Sequence, residues 1–384
     1  MQSTTLNDIN DFVLYKQHLI DYSTSQDLIK VIKDIGGLHA TSSTTPYLSL
    51  FARTRDFTPE KLDNALYINK SLGKIRGIRK TLYIFPKEII PIVSIATNNL
   101  VLNQSKRALE FRGISSEEYK EISELVLKKI ADKGEMTASE IKKALKTEQN
   151  ISYILYHMCD QKLLIRAKPR KYSLFSTYFP DLELSEWNEQ QAIIKLVQHY
   201  LNAFGPASQE DIAWWTGLGK ITILNALNHF QDKIVYIDIS DLNKNLLILQ
   251  TDTAFLRKKL SFRKSNVNLL PALDPFLMGY KERERLIHSK YYSYVFDRTG
   301  NATSTILLNG QVIGIWDILK EKNPIIKLFL FEATEEAILS DILLKAKRIG
   351  EFITFKEVLI KICDSMIPLN RKTAGSVMSP LKEC

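Results

Sequence analysis

The chain has 384 residues, of which 45% are hydrophobic and 25% charged, and its formal net charge at pH 7 is +9. This is the composition of an ordinary globular protein, and the length suits about two to four small domains. No apolar run approaches the ~20 residues of a membrane span, and the N-terminus lacks the order of a secretory signal. The three cysteines, Cys159, Cys363 and Cys384, form no motif, so we expect a cytoplasmic protein without a disulfide framework.

The N-terminal segment 1–115 opens with amphipathic helical patterns. One of them, "SQDLIKVIKDI", ends at Gly36 and Gly37, because glycine adopts the left-handed conformation that follows a helix. The next residues, "HATSST", are polar and make a poor core sequence. His39 and Thr41 in this stretch belong either to a plain helix exit or to a functional site.

Segment 116–183 has the element order of a winged helix, a relative of the helix-turn-helix. The helix "EEYKEISELVLKKIADKG" precedes a second helix, "MTASEIKKALKT", in which Thr137 and Glu140 have capping-box spacing. A third helix, "ISYILYHMCDQKLLI", precedes the basic hairpin "RAKPRKYSLF".

Segment 184–262 repeats this order. Ser208 and Asp211 have capping spacing at its second helix, "PASQEDIAWWTGL", and the third helix is followed by the strands "KIVYIDI" and "NLLILQT". Thr137 and Ser208 lie 71 residues apart, which fits a winged-helix repeat. We therefore predict two tandem winged helices, with segment 1–115 as a divergent winged-helix-like domain.

Segment 263–384 changes to short strands. "ATSTILLNG" and "QVIGIWDIL" flank an "NG" at 309–310 that predicts a hairpin, and the helix "TEEAILSDILLKAKRIGEFI" follows. This segment predicts a C-terminal β-rich domain with a terminal helix. The whole chain is predicted to be α+β and mainly α, with tandem winged-helix domains before this β-rich domain.

Three basic runs contain no acidic residue: 70–87, 166–178 and 257–264. Basic residues interleaved with aromatic and hydroxyl residues favour a nucleic-acid partner, although a solvated basic face is the alternative for any single run. The candidate phosphate contacts are Arg76, Arg79, Lys80, Arg166, Lys168, Arg170 and Lys171.

Other chemistry has little support in the sequence. The six histidines are dispersed, and neither HExxH nor CxxC occurs, so we expect no metal site. Glycine-rich phosphate loops are also missing. We therefore expect no cofactor and no nucleotide cofactor.

Several longer motifs resemble the AlkZ/YcaQ-like family of winged-helix DNA glycosylases. "GPASQEDIAWWTGL" is similar to the family's "GPA…D-x-A-W-W-[TS]-G-L", and "LLPALDPFLMGYKER" resembles "LLPxFDxxLxGYxxR". "ILLNGQVIGIW" and "GGLHATSSTTPYLSLFAR" resemble two further family elements. The resemblance implies tandem winged helices around duplex DNA and removal of alkylated purines, including crosslinked ones, by a monomer that associates with the nucleoid.

The resemblance also implies site residues. His39 and Thr41 occupy the positions of the family's Gln-hydrophobic-Gln signature, of which a His-hydrophobic-Gln variant is known. Thr41 departs from this signature, and Tyr83 stands where a neighbouring motif has histidine. Asp274 and Arg283 match family motifs and form either a structural ion pair or part of a site.

The implied reaction needs little help from a general acid. An N7-alkylated guanine is cationic and leaves as a neutral base, so the enzyme mainly positions a water at the anomeric carbon. His39 and Thr41 are the candidate water-positioning pair. The alternative is a non-catalytic winged-helix protein that binds DNA or regulates transcription, because winged helices serve both classes.

Overall fold

The structure is a computed structural model, and it describes residues 4–20, 25–168, 170–242, 244–256, 265–369 and 379–381. The chain divides into two compact units. Unit 1 consists of residues 1–57, 199–215 and 230–384, and unit 2 consists of residues 58–198 and 216–229. Within the described ranges, no helix is long and apolar enough to cross a membrane.

The α-helices of the described residues are α1 (Leu6–Lys16), α2 (Leu28–Asp34), α3 (Thr45–Phe51), α4 (Pro59–Asp63), α5 (Ile90–Ala96), α6 (Asn98–Glu110), α7 (Ser116–Lys133), α8 (Ala138–Leu145), α9 (Ser152–Asp160), α10 (Phe175–Tyr178), α11 (Glu189–Phe204), α12 (Gln209–Thr216), α13 (Lys220–Asn228), α14 (Gln250–Leu256), α15 (Pro275–Met278), α16 (Tyr292–Val295) and α17 (Glu336–Thr354). The strands of the same residues are β1 (Leu38–His39), β2 (Leu72–Arg76), β3 (Leu82–Pro86), β4 (Met136–Thr137), β5 (Leu164–Lys168), β6 (Lys171–Leu174), β7 (Ile234–Ile239), β8 (Lys244–Leu249), β9 (Val267–Leu270), β10 (Thr305–Leu308), β11 (Gln311–Leu319), β12 (Ile325–Leu330) and β13 (Leu359–Ile362). The chain is therefore a mixed α/β protein.

Unit 1 contains a five-stranded sheet with the order β13-β12-β11-β10-β9. The pairs are antiparallel except for β12 and β13, which run parallel. Helix α17 packs on this sheet, where Ile342 joins a core with Ile306, Trp316 and Ile326. Apolar residues recur along α17 at helical spacing, and their burial against the sheet explains why this helix forms.

The turn between β10 and β11 confirms the hairpin predicted at residues 309–310. Asn309 and Gly310 have φ angles of 50° and 82°. Two-residue hairpin turns of this type need positive φ at both central positions, which Asn-Gly supplies at low cost.

An aromatic cluster lies beside α11 in unit 1 and includes Tyr200, Phe204, Trp215 and Tyr280. Trp215 is 1% exposed, so it packs in the core rather than stacking on a base. The cluster requires glycine at position 279, because a Cβ there would lie 2.4 Å from the Phe204 ring.

Unit 2 contains α7, β4, α8, α9, β5 and β6 in this order, and the strands form a sheet with the order β4-β6-β5. The predicted capping box at α8 is confirmed, because the Thr137 hydroxyl accepts a bond from the Glu140 amide and the Glu140 carboxylate accepts one from the Thr137 amide. Val126, Ile141 and Leu155 contribute to the core that the three helices share. Burial of these helix faces is the main stabilising term for this part of the chain.

Segment 184–262 also has helices followed by a hairpin, since α11, α12 and α13 precede the antiparallel strands β7 and β8. The capping relation at α12 is confirmed, because the Ser208 amide donates to Asp211 at 3.1 Å and the Asp211 amide donates to Ser208 Oγ at 3.2 Å. Both α11 and α12 cross from one compact unit to the other. The division into domains 1–115, 116–183, 184–262 and 263–384 stays a prediction.

The two described cysteines are in different oxidation states. Cys363 is disulfide-bonded. The low cysteine count and scattered spacing gave no signal of this bond. Cys159 has a free thiol, and burial raises the pKa of this thiol to about 12, so it is not a reactive thiolate at neutral pH.

Candidate catalytic segment and nucleic-acid interface

Two glycines place the candidate catalytic segment at the end of α2. Gly36 and Gly37 have φ angles of 78° and 95°, and the Gly37 amide donates to the Ile32 carbonyl at 2.9 Å. A Cβ on Gly36 would lie 2.6 Å from a ring carbon of Phe204. Only glycine fits this turn, which ends α2. His39 follows directly as the second residue of β1.

His39 and Thr41 differ in exposure. His39 is 3% exposed, whereas Thr41 is exposed. The Thr41 backbone amide donates a long hydrogen bond of 3.5 Å to His39 Nδ1. Since Nδ1 accepts this bond, a neutral imidazole carries its proton on Nε2. This geometry favours an orienting role for His39 over proton abstraction through Nδ1.

Hydrogen bonds fix the residues that follow Thr41. The hydroxyls of Ser42 and Thr44 lie 3.2 Å apart, within hydrogen-bonding distance. The Thr45 hydroxyl, at the start of α3, donates to the carbonyl of Ala272 at 2.8 Å. The polar stretch that made a poor core sequence is therefore a structured connection between β1 and α3.

A buried ion pair anchors α3 to the segment that carries Asp274. Arg53 donates to the two carboxylate oxygens of Asp274 at 2.8 and 2.6 Å, and both side chains are 0% exposed. The Ser49 hydroxyl donates to the same carboxylate at 2.7 Å, and the Phe276 amide donates to it at 3.0 Å. Bidentate geometry and these further bonds satisfy the carboxylate, as a buried charge requires.

The observed pairing differs from an ion pair between Asp274 and Arg283. Asp274 binds Arg53 and Ser49, and Arg283 is not among its partners. The Arg283 guanidinium lies 3.8 Å from the Phe296 ring centroid and 4.8 Å from that of Trp214. It also donates to the Gly300 carbonyl at 2.8 Å. Both charged residues therefore organise the interior of unit 1.

The Arg76 side chain, which was predicted to contact phosphate, is held by hydrogen bonds within unit 2. Its Nη1 donates to Asp160 at 2.6 Å, its Nη2 donates to Gln104, and its Nε donates to the Lys80 carbonyl at 3.2 Å. Asp160 is 2% exposed, so the arginine compensates a buried carboxylate. The sequence did not reveal this internal ion pair, and phosphate binding by Arg76 stays a prediction.

Arg79 and Lys80 lie at the turn between β2 and β3. Both have positive φ angles, 48° and 62°, which are uncommon for residues with a side chain. Lys80 is exposed, and Arg79 is partly exposed. The Lys80 side chain is therefore accessible to a phosphate, and both Lys80 and Arg79 stay predicted phosphate contacts.

The second basic run forms the hairpin of β5 and β6. Lys168 and Arg170 are exposed on either side of the turn, Arg166 and Lys171 are partly exposed, and Lys168 lies 3.4 Å from Glu135. The third run, 257–264, lies outside the described residues. The β5–β6 hairpin is the best-defined basic feature of unit 2.

Tyr83 occupies the position where the family element has histidine. It is 3% exposed, and its ring stacks on Phe85 with 5.5 Å between centroids. Burial raises the pKa of its hydroxyl above the ordinary value. Tyr83 is a core residue of β3.

Sequence analysis did not single out Arg53 as a functional or structural residue. The sequence nevertheless contained a signal for the pair. Arg53 ends the family-like stretch "GGLHATSSTTPYLSLFAR", and Asp274 lies in the family-like stretch "LLPALDPFLMGY". Two family-like motifs that carry opposite charges are candidates for a buried pair. Only the structure shows that the partner of Asp274 is the distant Arg53 rather than the nearer Arg283.

The fold is shared with a known class of protein. The structure matches that of the DNA glycosylase AlkZ from Streptomyces sahachiroi with a TM-score of 0.74 and 17% sequence identity, and the match covers 94% of this chain and 100% of that one. A family model described as DNA glycosylase AlkZ-like matches residues 32–352. The chain belongs to the AlkZ-like DNA glycosylase family. No curated protein matches it.

Proposed function

We propose that the protein is a monofunctional DNA glycosylase that hydrolyses the N-glycosidic bond of N7-alkylated purines in duplex DNA. The observation that carries the proposal is the anchoring of the His39 segment by the buried pair of Arg53 and Asp274, in a chain of the AlkZ-like family. The pair and the bond from Thr45 to Ala272 hold α3, which follows His39 and Thr41, and a positioned water needs a rigid support.

The winged-helix assignment is part of the same proposal. The element order α7, β4, α8, α9, β5, β6 and the sheet order β4-β6-β5 support a winged helix in segment 116–183. Helices α11 to α13 followed by β7 and β8 support a second in segment 184–262. In this arrangement, the exposed β5–β6 hairpin is the wing that contacts DNA phosphates.

In the proposed reaction the protein orients the attacking water, and the substrate supplies a glycosidic bond that breaks easily. As the water oxygen bonds to the anomeric carbon, the glycosidic bond breaks and its electron pair leaves with the cationic base, which becomes neutral. No strong general acid is therefore required, and the proton of the water passes to solvent. The Thr41 hydroxyl holds the attacking water, and His39, whose Nδ1 is engaged by the Thr41 amide, orients this threonine and its surroundings. Threonine reaches less far than the glutamine of the family signature, so we expect slow turnover limited to labile, cationic adducts.

Base release from duplex DNA that contains N7-methylguanine tests the proposal. We expect wild type to release the base, and we expect His39→Ala and Thr41→Ala to lose most of the turnover while duplex affinity stays within about twofold, because water positioning acts mainly in the transition state. Ser43→Ala and His229→Ala are matched controls that should behave as wild type. Equal release by wild type and both site variants would overturn the assigned roles.

A gain-of-function variant sharpens this test. Thr41 is exposed, so glutamine fits there without repacking. Thr41→Gln restores the His-hydrophobic-Gln pattern and should raise base release above that of wild type. A Ser43→Gln variant controls for the added side chain.

A non-catalytic DNA-binding protein is the second candidate. It is favoured by the burial of His39, at 3% exposure, and by the absence of glutamine at position 41. Tight duplex binding without base release by wild type or Thr41→Gln would establish this alternative.

A further inference from the structure

A groove on unit 2 carries aromatic and basic side chains that the proposed reaction does not use. Its lining includes Arg76 at the end of β2, Gln104 and Ser105 of α6, Tyr153 and Tyr156 of α9, and Arg166 of β5. We call it the Tyr156 groove. Its volume is about 280 Å³, slightly below the ~300 Å³ at which pockets for drug-sized ligands begin. This size suits one planar ring system.

Two tyrosines form the aromatic walls of the groove, of which Tyr156 is exposed and Tyr153 partly exposed. Tyr153 and Tyr156 are three residues apart on α9 and therefore lie on one face of the helix. Their ring planes meet at 83° with 6.2 Å between centroids. Tyr156 is 39% exposed, and the Arg112 guanidinium lies 3.4 Å from the Tyr153 ring centroid. A tyrosine ring half open to solvent offers a face on which a base can stack.

The charges at the groove favour an anionic partner. The Arg166 guanidinium lies 5.0 Å from the Tyr156 ring centroid, and no carboxylate of the described residues lies within ion-pair distance of it. Arg76, on the lining, is already held by Asp160. Nearby, burial first and then the charge of Arg166 lower the pKa of Lys74. The Arg166 guanidinium thus forms no direct ion pair among the described residues, although its charge acts at longer range on Asp160.

We propose that the Tyr156 groove binds an unpaired nucleobase of a DNA strand, with the base stacked on Tyr156 and an adjacent phosphate bound by Arg166. The combination of aromatic faces and arginine is typical of sites for single-stranded nucleic acid. A fully paired duplex does not offer this ligand, because its bases are stacked on one another. The inference takes DNA as the ligand from the proposed function, and it does not depend on base excision.

The test uses a single-stranded oligothymidylate that carries one 2-aminopurine, whose fluorescence is quenched on stacking. Relative to wild type, Tyr156→Ala should bind this strand roughly tenfold more weakly and lose the quenching, whereas Tyr156→Phe should retain both. Arg166→Gln should reduce the slope of log affinity against log salt by about 0.7, the contribution of one phosphate to single-strand binding. Affinity for a fully paired duplex should change less than twofold in Tyr156→Ala.

Two variants of unit 1 serve as matched controls. Tyr236→Ala removes a tyrosine that is 66% exposed, and Arg348→Gln removes an exposed arginine of α17. Both should bind the strand as wild type does. If Tyr156→Ala has wild-type affinity and quenching, or if wild type does not bind the single strand, the groove does not bind a base.

The outcome of this test does not depend on whether the protein has glycosylase activity. Tyr156-dependent quenching in a protein that releases no base would leave the groove assignment standing and remove only the glycosylase activity. Active base release without Tyr156-dependent quenching would overturn the groove assignment alone.

Discussion

At the scale of residues, the buried pair of Arg53 and Asp274 joins the end of the α3 segment to the segment that carries Asp274. Both side chains are 0% exposed, and the contact is bidentate. Removing water from two charges costs several kcal/mol, and good geometry with additional hydrogen bonds offsets this cost. A lone buried charge lacks this compensation, so loss of one partner is far more harmful than loss of both.

We expect Asp274→Ala and Arg53→Met each to lower the free energy of unfolding by about 3–5 kcal/mol. The double variant should be less destabilised than the sum of the two, because it leaves no unpaired charge. Urea denaturation of the four proteins measures this coupling. Single variants with wild-type stability would contradict the assigned anchoring role.

Asp11 predicts a pH dependence of stability. Burial first, and then the charge of Asp8, raise the pKa of Asp11 from 3.8 to about 7. The folded state therefore binds the proton more tightly than the unfolded state, and this contribution to stability is present below pH 4 and decreases as the pH rises toward 7. The group is only half buried, so the effect is modest.

Asp11→Asn removes this titration. We expect the variant to unfold at a higher temperature than wild type at pH 8 and the difference to shrink toward pH 4. Thermal unfolding of both proteins across this range checks the sign. A difference that grows as the pH falls would contradict the raised pKa.

At the scale of elements, capping residues define where helices begin. The reciprocal bonds of Thr137 and Glu140 satisfy two free amides at the start of α8, and those of Ser208 and Asp211 do the same at α12. Asp211 additionally accepts bonds from the amides of Lys281 and Glu282 at 2.8 Å each. The cap of α12 thus also holds a loop of the same unit in place.

Thr137→Ala should lower the free energy of unfolding by about 1 kcal/mol through loss of the cap. Ser139→Ala is the matched control, since Ser139 is exposed inside α8 and alanine is a better helix former there. Denaturant unfolding of both variants distinguishes the cap from a general effect of alanine. Equal stability of the two variants would show that the cap contributes nothing.

At the scale of the whole molecule, the net charge of +9 predicts electrostatic DNA binding with little sequence preference. Each phosphate neutralised contributes about −0.9 to the slope of log affinity against log salt on duplex DNA. We expect Arg170→Gln to weaken duplex binding equally for different sequences and to reduce the slope by about one contact. Arg348→Gln keeps the same charge change away from the hairpin and should leave the slope nearly unchanged. A duplex affinity that does not change with salt concentration would contradict the prediction.

The sequence by itself determined the elements whose causes are local. The capping spacings of Thr137 and Ser208 and the "NG" hairpin at 309–310 act within a few residues, so their patterns predicted them correctly. The family was also recognisable, because its motifs are contiguous and survive in this chain.

Only the tertiary structure decided which side chains meet. Arg53 and Asp274 are separated by 221 residues, and Arg76 and Asp160 by 84, so no periodicity links either pair. A basic run predicts positive charge, but it does not show which arginine is consumed by a buried carboxylate. For this reason the sequence alone showed neither that Arg76 binds Asp160 nor that Asp274 binds Arg53. A buried carboxylate needs a compensating partner, and only the fold shows which arginine supplies it.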